Sequence, residues 1–240
     1  MAGGAYVALS GLRARMAQLD RLAADIANVG TAGYKAERAG TVAAPRPDFG
    51  GVLDSAIDVA SGAARLDFRS GALDATGRDL DVAIEGRGFF VVQSPAGPRY
   101  TRNGHFERRG DGLLVTADGL PVLGTAGPIT LGKGTVSVEA DGTLRLDGSV
   151  AGRLLVVDVA DYGTLSREEA GRFRAANPTA ATSLTAPLVR GGALEQSNVA
   201  LPERMVQLTE TARAFEALQR GIGVMLNDLD GRAISELGKR

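Results

Sequence analysis

Two apolar stripes, one near each end of the chain, step along the sequence by threes and fours. The first is Leu9, Leu12, Met16, Leu19, Ala23 and Ile26. The second is Leu201, Met205, Leu208, Ala212, Phe215, Leu218, Ile222, Met225 and Leu229. Alternating steps of three and four keep residues on one side of a helix, so each stripe predicts a helix with a coiled-coil seam. The first is expected over residues 6–29, with Arg13, Arg15, Gln18, Arg21 and Asp25 on its polar side and Gly30, Thr31 and Gly33 as its stop. Asn198 is the expected N-cap of the second, where Pro202 and Glu203 suit a first turn. Gly221 and Gly223 interrupt that stripe at a cost of about 1 kcal/mol each relative to alanine.

The middle has another rhythm. From Leu80 to Val159, short β-branched or aromatic runs are divided by Asn103-Gly104, Asp111-Gly112, Asp118-Gly119, Asp141-Gly142 and Asp147-Gly148. Such steps tolerate the positive φ of tight turns and predict a series of antiparallel hairpins. Residues 39–51 and 177–187, rich in Pro, Gly, Ala or Thr, are expected to be connectors. The expected fold is α+β: a discontinuous coiled-coil helical domain from both termini (1–35 and 196–240), an extended arm (36–75) and an inserted antiparallel all-β domain (76–195) with its return segment near 177–187.

Two helices alone cannot enclose a core, so the stripes need further helices. Copies of the chain are the simplest source. Leu9, Leu12, Met16, Leu19, Ile26, Leu201, Met205, Leu208, Phe215, Leu218, Ile222, Met225 and Leu229 are therefore the expected subunit-packing residues. If the stripes pack only within one chain, the alternative is a monomeric helical hairpin.

The 240-residue chain contains no cysteine and a single histidine, His105. Disulfides, thiol catalysis and cysteine or paired-histidine metal sites are excluded, and no cofactor is expected. A net charge of −1 offers no broad positive field for nucleic acid. No basic segment followed by an unbroken apolar run opens the sequence, and no stretch is long and apolar enough to span a membrane. Neither a cleaved signal nor membrane insertion is expected, although secretion that reads an uncleaved N-terminus leaves the same trace.

Several strings imitate known chemistry. Gly127-Pro128-Ile129-Thr130-Leu131-Gly132-Lys133-Gly134 approaches a phosphate-binding loop, but glycine holds the last position and a strand-like run follows instead of a helix. Gly86-Arg87-Gly88 begins like a dinucleotide fingerprint, yet Val91 stands where the third glycine belongs. His105 follows a turn and lacks a nucleophile motif beside it. These strings are better explained as turns, so no enzymatic activity is expected.

Four further segments carry a resemblance. Ala27-Asn28-Val29-Gly30-Thr31-Ala32-Gly33-Tyr34-Lys35 is similar to the A-N-x-x-T-x-G-[YF]-K signature that closes the N-terminal helix of flagellar rod, hook and hook-associated proteins. The run from Leu80 to Val92, with Gly86, Gly88, Phe89 and Phe90, resembles that family's L-D-[VL]-A-I-x-G-x-G-F-F-x-V block. Tyr100-Thr101-Arg102-Asn103-Gly104-His105-Phe106 resembles its Y-T-R-[DN]-G-x-F block, and Gly192-Ala193-Leu194-Glu195-Gln196-Ser197-Asn198-Val199 its G-x-L-E-x-S-N-V entry to the C-terminal helix. The order is the family's and spans most of the chain. Asp25 departs from the asparagine usual before Ile26-Ala27-Asn28.

The resemblance implies a structural subunit of the flagellar basal-body rod, with the Tyr6–Ser10 start and Glu-Leu-Gly ending most like proximal-rod members and distal-rod members second. It also implies export through the flagellar type III apparatus, a periplasmic rod location, and copies of itself and other rod proteins as partners. A rival from another class is an oligomeric β-rich glycan-binding or adhesin module; the 5% aromatic content without tryptophan speaks against it.

Overall fold

The computed structural model describes residues 2–38, 64–177 and 181–237, with side chains described for residues 11–38, 64–177 and 181–224. Among the described residues, nineteen short strands lie between two α-helices, α1 (Ala2–Ala27) and α2 (Leu201–Leu237). The chain is thus mostly β with a helix at each end. This corrects the expected α+β division into a coiled-coil helical domain with an inserted β domain. Helical periodicity is conspicuous over long runs, whereas strands of two to six residues are too short to display alternation of their own.

Residues pack as two units. One comprises Met1–Ala27, Glu37–Arg65 and Ala200–Arg240, the other Asn28–Ala36 and Leu66–Val199. The connector expected over residues 39–51 lies outside the described residues. Within the expected arm, Leu73–Ala75 is a strand paired antiparallel with Ala193–Glu195. Of the expected return segment, Ala181–Ser183 forms an edge strand.

The β unit is built on a six-stranded antiparallel sheet in the order Leu165–Arg167, Arg172–Ala175, Gly97–Thr101, Phe89–Ser94, Val156–Val159, Ala181–Ser183. Phe89–Ser94 is interior to this sheet, and the period of two explains its unbroken apolar start. Phe90 and Val92 enter one core with Val82, Phe106, Leu114 and Val122. Phe89 and Val91 point the other way, into a core with Tyr100, Val157, Val159 and Phe173. Phe89 and Phe90 are fully buried, which stabilises the fold by about 1.5–3 kcal/mol per side chain.

Four of the five expected turn steps do form hairpin turns. Asp111 Oδ1 accepts from Leu113 N at 3.1 Å, and Asp141 Oδ1 from Thr143 N at 3.0 Å. Gly119 N donates to Thr116 O at 2.8 Å. Asp147 and Gly148 take φ of 49° and 83° between the paired Leu146 and Ser149, the two positive values of a two-residue primed turn. Asn103-Gly104 is a correction: the chain there leaves one sheet for another, with Gly104 O accepting from Val82 N at 3.0 Å and His105 bridged to Asp81. The Gly127–Gly134 string begins as a strand, Gly127–Pro128, and runs on to the strand Val136–Val138.

Candidate functional site

The four segments that carry the resemblance converge on one buried ion cluster in the β unit. Lys35 Nζ donates to Glu195 Oε1 at 2.5 Å and to Arg69 O at 3.0 Å. Arg102 Nη1 donates to Glu195 Oε2 at 3.1 Å and to Ile84 O at 3.3 Å, while Nη2 reaches Gly86 O at 2.6 Å. The side chains of Lys35 and Glu195 are wholly buried and that of Arg102 nearly so. Gly71 N gives Glu195 Oε1 a further donor at 3.1 Å, and the Arg102 guanidinium stands 5.4 Å from the Phe89 ring centroid. Burial pushes the Lys35 ammonium below the usual lysine range, and Glu195 opposes that shift.

Glycine makes this convergence possible. Gly33 has φ of 69° and donates its N–H to Glu195 O at 2.7 Å. A Cβ on it would lie 2.3 Å from the backbone of Arg102 and Asn103. At Gly104 a Cβ would fall 1.6 Å from Val82 O, so any side chain there forces two segments apart.

The remaining motif residues frame the cluster. Tyr34 packs with Ala36 and Val199, its hydroxyl accepts from Arg167 Nη1 at 2.8 Å, and the Arg167 guanidinium lies 4.4 Å from its ring centroid. Arg167 also donates to Lys35 O. Thr31 Oγ1 donates to Asn28 Oδ1 at 3.1 Å. Gly86 and Gly88 turn the chain into Phe89 with φ of 91° and 121°. Phe106 meets Phe90 edge-on at 5.2 Å, Tyr100 lies in the second core, and Thr101 Oγ1 accepts from Asn103 N at 3.0 Å. Leu194 pairs with Asp74, and Ser197 Oγ accepts from Val199 N at 3.3 Å.

Asn198 does not cap α2 as expected. The helix begins at Leu201, and Asn198 Oδ1 accepts from Ala36 N at 2.7 Å while Nδ2 donates to Asp67 O at 2.7 Å. Its amide imitates a strand neighbour and stitches Ala36 to the segment around Asp67.

In the helical unit α1 and α2 pack against each other. Leu12, Leu19, Ile26, Leu201, Leu208, Phe215, Leu218 and Ile222 are half-buried. Met16 of α1 and Met205 of α2 are 58% and 56% exposed, and Val206 and Val224 of α2 are exposed as well. The side chains of Leu9, Met225 and Leu229 lie outside the described ones. Among the described residues of this unit, Leu22, Asp25 and Thr211 are buried. Asp25 therefore corrects the expectation of a solvent-facing polar side: its carboxylate lies 3.2 Å from Arg204 Nε. The apolar stripe has no place for an acid, and partners distant in sequence, Arg204 and the Glu37 N–H among them, account for its burial. Arg167 had no sequence signal.

Among the described residues no group of three or more acidic or histidine side chains is arranged to hold a metal, and no helix is long and apolar enough to cross a membrane. His105 Nδ1 lies 2.8 Å from Asp81 Oδ1.

Comparison with known proteins places these features. Residues 83–146 match the flagellar hook protein FlgE/F/G D1 domain, and residues 190–229 the flagellar basal body rod FlgEFG protein C-terminal family. The chain is 35% identical to the flagellar basal-body rod protein FlgF of Caulobacter vibrioides, over 98% of this chain and 97% of the relative. It is 35% identical to FlgF of Rhizobium meliloti over 99% of both chains. Flagellar basal-body rod protein FlgG of Bacillus subtilis is 29% identical over 88% of this chain and 90% of its own length. With all four motif segments meeting at one buried cluster and near-complete alignment to such relatives, the chain belongs to the flagellar basal-body rod protein family, and the two FlgF-named relatives resemble it more than the FlgG-named one does.

Proposed function

We propose that this chain, a structural subunit of the flagellar basal-body rod, polymerises with copies of itself and with other rod proteins through the apolar faces that α1 and α2 leave open. The observation that carries this is the exposure of Met16, Met205, Val206 and Val224, four large apolar side chains on two helices that already pack against each other. A pair of helices left this open gains by burying the remainder in an assembly. Its place is in the proximal rod, in keeping with the higher identity to the FlgF-named relatives. It reaches the periplasm through the flagellar type III apparatus, and it turns over no substrate. The rival adhesin reading has no support among the relatives.

The test uses Met16→Asp and Met205→Asp, which leave the subunit's own packing largely intact because both side chains are exposed. Each variant should fold as the parent does by circular dichroism, be absent from purified basal bodies, and fail to spread in soft agar. Normal spreading by both variants overturns the proposal.

A further inference from the structure

Apolar burial is non-directional, so a helix stripe alone does not decide which partner it takes or at what level. In an assembly of related subunits, α1 would be offered more than one C-terminal helix. One group in the helical unit can make the choice. Asp25 is 1% exposed, and Arg204 of α2 approaches it with a side chain that is 14% exposed. Asp25 Oδ1 accepts from Glu37 N at 3.3 Å, and Arg204 Nη2 donates to Glu37 O at 3.2 Å. Acid and base thus hold the same residue between them. Arg204 Nη1 is further fixed by Gln207 Oε1 at 2.8 Å. A slip of one helical turn, about 5.4 Å, would separate the two charges and leave each facing apolar neighbours, among them Leu22 and Leu208.

We propose that the Asp25–Arg204 pair is the specificity element of the terminal helices: it makes α1 accept a C-terminal helix that presents a cation at this level and reject slipped or charge-mismatched ones. The inference extends the assembly reading. Buried ionic groups are well suited to this, because a mismatch costs far more than a correct pair contributes. Selection therefore works by exclusion.

The chain has no cysteine, so engineered pairs report on helix pairing without background. A Cβ at Gly11 would lie 4.0 Å from Leu218 Cδ1, which makes Gly11→Cys with Leu218→Cys the in-register reporter and Gly11→Cys with Ala214→Cys the slipped one. In the full-length parent, a short bifunctional thiol crosslinker should close the in-register pair within one chain. Asp25→Lys and Arg204→Glu, made in separate in-register reporter chains, each place like charges in their own hairpin. Unfolded together and refolded as a mixture, they should form about tenfold more crosslinked dimer than either chain refolded alone. A mixture that dimerises no more than its components, with both folded, overturns the proposal.

Should a charged variant fail to fold, Asp25→Asn with Arg204→Gln keeps an acceptor for Glu37 N and remains decisive. That neutral pair should lower the ratio of in-register to slipped crosslink about tenfold, and an unchanged ratio overturns the proposal. Because crosslinking is read on the isolated subunit, it succeeds or fails independently of the basal-body assay of the assembly reading.

Discussion

Glu195 holds two cations in the interior of the β unit, and nothing else on its strand is charged in the same way. Removing its charge leaves Lys35 and Arg102 buried side by side without their counter-ion. Glu195→Gln, close to isosteric, should therefore cost about 3–5 kcal/mol in urea unfolding at neutral pH. A loss below about 1 kcal/mol would mean that water or backbone carbonyls already satisfy the two cations. The motif marked all three residues, but their partnership was not legible, because Lys35 and Glu195 are 160 positions apart and no local period links them. Asn198 departs from its expected capping role for a related reason. Its spacing ahead of α2 suits a cap, while its actual partners, Ala36 and Asp67, become neighbours only in the folded sheet.

At the scale of elements, the two helices could be read directly because each repeats its pattern over many turns. The hairpins were legible where Asp-Gly fixed a positive φ. The turn at Pro95-Ala96, which joins Phe89–Ser94 to Gly97–Thr101, lacks that signature and is not legible in the sequence. Asn103-Gly104 shows the converse: its glycine serves a close approach to Val82 instead of a hairpin. In α2, Gly221 and Gly223 are exposed, and a Cβ at either would meet no atom within 4 Å. Replacing both with alanine should therefore favour the helix by about 1 kcal/mol per site. Far-ultraviolet circular dichroism during thermal melting should show α2 persisting to higher temperature. An unchanged melt would indicate that helical propensity does not limit this end of the chain.

At the scale of the whole molecule, two long helices stand out in the sequence above many short strands, although the strands make up most of the fold. The β unit contains two apolar cores of its own, and the motif residues Lys35, Arg102 and Glu195 all lie within it. A fragment spanning residues 28–199 should therefore fold cooperatively, with near-ultraviolet circular dichroism and a single urea transition like those of the β part of the intact chain. Failure to fold would show that the helices are required to form the cluster. The cluster also has a bearing on chain architecture. It fastens Lys35 to Glu195 across 160 residues, and the entropy of closing a loop rises only with the logarithm of its length. Doubling the chain between them would add only about 0.6 kcal/mol to closure. The joint is thus nearly indifferent to the size of what it encloses, so a reporter domain grafted at an exposed turn such as Asp118-Gly119 should enlarge the enclosed loop while Lys35 and Glu195 stay paired.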